Sequence, residues 1–104
     1  MIAAFSITPL GVGESVSAPV ADAVRLVRAS GLANETNAMF TNVEGDWDEV
    51  MALIRDCVVA VSGAGHRVSA VIKIDYRPGV DGGLAKKVEA VEAHLRDGTG
   101  GEPG

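Results

Sequence analysis

The chain has 104 residues, 47% of them apolar, and a net charge of −5. That length fits one domain with a modest core, and the acidic balance leaves no electrostatic footprint for a phosphate backbone, so nucleic acid is not an expected partner. No apolar run approaches the ~20 residues that a membrane-spanning helix needs, and with Cys57 as its single cysteine the chain has no internal disulfide and no cysteine-based metal cluster.

The first residues, Met-Ile-Ala-Ala-Phe-Ser-Ile-Thr, carry no basic segment and read as a strand rather than a signal peptide. With one cysteine besides, a reducing cytoplasm is the expected location. From Ile2 to Thr8 the chain alternates, Phe5 and Ile7 marking the core face and Ser6 and Thr8 the other, until Pro9 and Gly11 end the strand. A loop runs from Gly11 to Ser17. Ser17 suits an N-cap and Pro19 the first helical turn. The helix that follows shows an apolar stripe of Val20, Ala23, Val24 and Val27 and ends near Ser30, with Gly31 as its C′ residue.

Residues Asn34–Phe40 and Phe40–Glu44 read as two short strands or one bent one, with the bend near Ala38-Met39 in the manner of a tight hairpin. A second helix starts at once. Asp46 is its N-cap and Glu49, three residues on, completes a capping-box pattern. Trp47, Val50, Met51, Ile54, Val58 and Val61 have the spacing of one buried face, with Trp47 expected to staple the helix start to the core. Gly63 and Gly65 end this helix. The clearest strand, Arg67–Arg77, sets Val68, Ala70, Ile72, Ile74 and Tyr76 on one face and Ser69, Val71, Lys73, Asp75 and Arg77 on the other. Pro78-Gly79 breaks it. A third helix is expected from about Gly83 to Leu95, with a narrow apolar seam of Leu84, Val88, Val91 and Leu95. A Gly-rich tail, 97–104, follows the domain at 1–96.

The order is β-α-β-β-α-β plus a C-terminal helix, which suits an α+β ferredoxin-like sandwich with helices on one sheet face. The other face is expected to carry Ser6, Thr8, Lys73, Asp75 and Arg77 together with Asn37, Met39 and Thr41. It either faces water or packs on a second subunit and holds a ligand.

Catalytic signals are sparse. His66 and His94 fall on separate elements, so a shared metal site is not expected and both are read as surface residues. Cys57 lies on the apolar stripe of the second helix, as a buried small hydrophobe does. Gly11-Val12-Gly13 lacks the third glycine of a dinucleotide fingerprint. No nucleophile stands beside a legible base, so an enzyme is not expected and no cofactor is required. Among the acids Glu44, Asp46, Asp48 and Glu49, capping and the helix dipole account for Asp46 and Glu49. Glu44 has no capping role and is the acid that points to function.

Taken together, Phe5–Gly11, Ser30-Gly31-Leu32, Asn37–Val50, Arg67-Val68, Lys73–Arg77 and Lys87–Val91 resemble the small thiamine-binding protein family, of the YkoF-like superfamily. The resemblance spans about residues 2–96. Phe40 stands where many relatives have glycine. The resemblance implies a ferredoxin-like fold assembled as a homodimer that pairs into a homotetramer. It also implies non-catalytic binding of thiamine or its hydroxymethylpyrimidine moiety. Under it, Ser6, Thr8, Asn37 and Thr41 match the donors and acceptors of an aminopyrimidine. Glu44 or Asp75 suits a thiazolium cation, and Trp47 or Met39 lies against a ring. The seam of the third helix is expected to pack on another subunit.

Rival readings fare differently. A regulatory or scaffold module without a vitamin ligand explains the seam and the polar face equally well. An RNA-binding domain of this fold needs aromatic residues on its central strands and a basic face, where this chain has Ile72 and Ile74 and a negative charge. A heavy-metal carrier would need a cysteine pair.

Overall fold

The computed structural model describes residues 1–11, 17–63 and 65–78, together with Val91 and Leu95. Their order is β1 (Ile2–Leu10), α1 (Ser17–Ala29), β2 (Ala33–Thr36), β3 (Thr41–Glu44), α2 (Trp47–Ser62) and β4 (Arg67–Asp75). The strands form one antiparallel sheet in the order β2-β3-β1-β4. β1 and β2 thus run the same way with β3 between them, and β3 and β4 run the same way with β1 between them. That interleaving is the ferredoxin-like α+β fold. The expected third helix and tail lie outside the described residues, except that Val91 and Leu95 are helical and exposed.

Register assigns the faces. Ala3 stands opposite both Val43 and Ile74, and Phe5 opposite both Thr41 and Ile72. Directly opposed residues share a face, so these six point toward the helices. Ala3, Phe5 and Val43 are buried there against Ala23 and Val27 of α1 and Val50, Leu53, Ile54, Cys57 and Val61 of α2. Each large apolar side chain so buried stabilises the fold by about 1.5–3 kcal/mol. Close approach needs small residues. A Cβ on Gly45 would meet Leu32 Cδ2 at 3.1 Å and Val50 Cγ2 at 3.4 Å. Gly31, at φ +80°, ends α1 in the left-handed conformation that its Cβ-free backbone permits.

Several expectations are corrected. Thr41 belongs with the helix face rather than the polar face, because it pairs with Phe5. Trp47 is half exposed and packs edge to face on Tyr76, ring centroids 6.1 Å apart, instead of stapling into the core. Leu53 and Cys57 occupy the centre of the buried stripe, and Met51 and Val58 flank it. β4 ends at Asp75, before Tyr76 and Arg77. β1 continues through Pro9 to Leu10. The reason for that continuation lies in the pairing. β3 accompanies β1 only from Ile2 to Phe5, so beyond Phe5 the strand has β4 on one side alone. Proline, which cannot donate, is tolerated at such an edge.

Candidate functional site

The same mismatch in strand length opens a cleft. β1 has nine residues and β3 four. Beside Ser6 and Ile7, where β3 has run out, the chain turns away into the β2–β3 hairpin, and α1 closes the space from above. The result is a cleft of about 220 Å³ between β1, α1 and residues 36–41. Its floor is apolar, with Phe5, Ile7 and Val24, and Met39 and Phe40 stand at the hairpin side. On the β3 side of residues 6–10 no strand is paired among the described residues.

The hairpin is shaped by Asn37. Its Oδ1 accepts from the N–H of Met39 at 2.8 Å and of Phe40 at 2.9 Å, and its own N–H donates to the carbonyl of Phe40 at 3.0 Å. This is a side chain standing in for a backbone turn. The carboxamide oxygen is thereby committed, and Nδ2 is the end that can donate to a ligand. Met39, at the tip, is 74% exposed.

Of the residues singled out from sequence, Ser6, Asn37, Met39 and Thr41 line this one cleft. Strand alternation turns the Ser6 hydroxyl toward the open sheet face, so Ser6 borders the cleft through its main chain. Thr8 lies opposite Ser69 on the open face. Glu44 and Asp75 flank Ile2 from either side, on the same face. Four residues of strand separate Ile2 from Ser6, about 13 Å at the usual rise, so neither carboxylate is beside the cleft. Trp47 is at that far end too, with Tyr76. Phe5, Ile7, Val24 and Phe40 belong to the cleft without having been singled out.

The acids around α2 act locally. Asp46 has extended φ/ψ of −71° and 156° as N-cap, and its N–H donates to Glu49 Oε1 at 3.4 Å in a capping box. Cys57 is buried, and its thiol points at the carbonyl of Ala23, 3.6 Å away. Burial, with the Asp56 charge adding to it, pushes that thiol up to about 11, which makes it inert at neutral pH. Among the described residues no group of three His, Cys, Asp or Glu side chains is placed to hold a metal, and no helix is long and apolar enough to cross a membrane.

Comparison with known proteins agrees with this architecture. A UPF0045 protein of Mycobacterium tuberculosis is 55% identical over 96 residues, covering 91% of this chain and 94% of the relative. A crystal structure of a Methanocaldococcus jannaschii protein superposes with a TM-score of 0.78 at 36% identity, covering 88% of this chain and 94% of the other. A DUF77 domain of Bacillus cereus, of unknown function, gives 0.75 at 32% identity, covering 84% of this chain and 85% of that domain. The model of the family described as thiamine-binding protein matches residues 3–92. With that match over nearly the whole domain, the chain belongs to the thiamine-binding protein family.

Proposed function

We propose that this chain binds thiamine or its hydroxymethylpyrimidine moiety without catalysis, as a self-associating cytoplasmic protein. The cleft carries the reading. It offers an apolar bed for a flat ring, the Asn37 Nδ2 and the Thr41 hydroxyl for the edge of that ring, and, beside Ser6, a strand edge that no other described strand covers. An aminopyrimidine presents acceptor nitrogens and a donor amine, which those groups complement. At about 220 Å³ the cleft falls below the ~300 Å³ that begins the range for drug-sized ligands. It suits the pyrimidine half, with the thiazolium directed outward. Met39 is the residue positioned to close over the ring, as a flexible thioether can. The family supports the ligand class, and the reading calls for no cofactor.

Amide chemical shifts test the location. On adding hydroxymethylpyrimidine, the resonances of residues 5–7 and 36–41 should move, and those of Glu44, Trp47 and Asp75 should stay. Shifts centred on the second group would move the site to the opposite end of β1.

A further inference from the structure

The chain has three methionines, and they differ in setting. Met1 and Met51 are partly buried against the core. Met39 is 74% exposed and at the same time lines the cleft. Its main chain is held in place, because its N–H and that of Phe40 both donate to Asn37 Oδ1. What stays free is the unbranched side chain, with three rotatable bonds and a thioether near its end. Sulfur that meets solvent is the sulfur an oxidant reaches first, and oxidation turns this apolar group into a polar, chiral one. Cys57 offers no competing target, since it is buried with its thiol against the Ala23 carbonyl.

We propose that Met39 is a peroxide-sensitive modification site, whose oxidation to the sulfoxide lowers the affinity of the cleft for its pyrimidine ligand. This rests on the ligand reading above and adds a means of regulation to it. In the step, a lone pair of the thioether sulfur attacks one oxygen of hydrogen peroxide. The O–O bond breaks as the S–O bond forms. Sulfur gives up two electrons, and the other oxygen leaves as water with both protons. A dithiol reductase reverses the step, removing the oxygen as water while its two thiols become a disulfide. The effect on binding follows from position. Over an aromatic ring a thioether is a favourable apolar neighbour. A sulfoxide in that place would bury a strong acceptor beside the apolar floor of Phe5, Ile7 and Val24, so it turns to solvent and leaves the ring uncovered.

The test treats the full chain with dilute hydrogen peroxide, follows the added oxygen at each methionine by peptide mass spectrometry, and titrates the product with hydroxymethylpyrimidine. Met39 should oxidise about tenfold faster than Met1 or Met51, as its exposure dictates. The oxidised protein should bind about three- to tenfold more weakly, the loss of one sulfur–aromatic contact. Met39→Leu keeps the apolar bulk and has no sulfur at this position, so its affinity should be the same before and after peroxide. Equal oxidation rates at the three methionines, or an oxidised chain that binds as tightly as the untreated one, overturns the proposal and leaves the ligand reading standing. A peroxide effect that persists in Met39→Leu overturns it in the same way. If the untreated protein binds no pyrimidine, the ligand reading fails and the proposal with it.

Discussion

Asn37 holds the hairpin turn and, in the proposed function, also donates to the ligand; substitution can separate the two. Asn37→Asp keeps the oxygen that accepts from Met39 and Phe40 but removes the Nδ2 donor. It should retain the fold and weaken pyrimidine binding by about 1–3 kcal/mol, as measured by titration. Asn37→Ala should lose both the turn and the binding. Cys57 gives a separate test. Its thiol titrates near 11 in the folded chain and lower in the unfolded one. Below the unfolded value both states hold the proton, and stability is unaffected. As pH rises toward 11, only the unfolded chain ionises, so stability falls through that window by roughly 2–3 kcal/mol and then levels. Denaturant melts at pH 8 and pH 11 should show this loss in the parent protein and less of it in Cys57→Ala. The burial of Cys57 was legible from its place on the stripe. The commitment of Asn37 to a turn was not, because the same residue type suits a turn and a ligand equally well.

At the scale of elements, helix existence was legible because caps and periodicity agree locally. Asp46 with Glu49, and Gly31 after Ser30, mark the helix ends in the sequence. Asp46→Ala should cost about 1 kcal/mol in a thermal or chemical melt, the usual value of an N-cap. Ile54→Ala, in the buried stripe, should cost about 2–4 kcal/mol. What the sequence hid was relative strand length. β1 outruns β3 after Phe5, and the cleft exists for that reason. Tertiary pairing sets that difference, and periodicity within either segment does not reveal it. Trp47 was misplaced for a related cause. Its spacing belongs to the apolar stripe, but it lies in the first turn, where Tyr76 is its neighbour rather than the core.

At the scale of the molecule, the fold was the most legible feature, since the strand and helix order admits few arrangements. The candidate site was half legible. Ser6, Asn37, Met39 and Thr41 converge, while Thr8, Glu44, Trp47 and Asp75 mark the open face and far end. Acidic composition made the carboxylates conspicuous in sequence, whereas the apolar floor of the cleft becomes visible only once the strands are paired.

The most direct test of the account is titration calorimetry of the purified protein with hydroxymethylpyrimidine and, separately, with thiamine. The cleft predicts saturable binding of both at micromolar or tighter, with similar affinities because the shared pyrimidine is the anchored part. No heat from either ligand, with the protein folded, would contradict it.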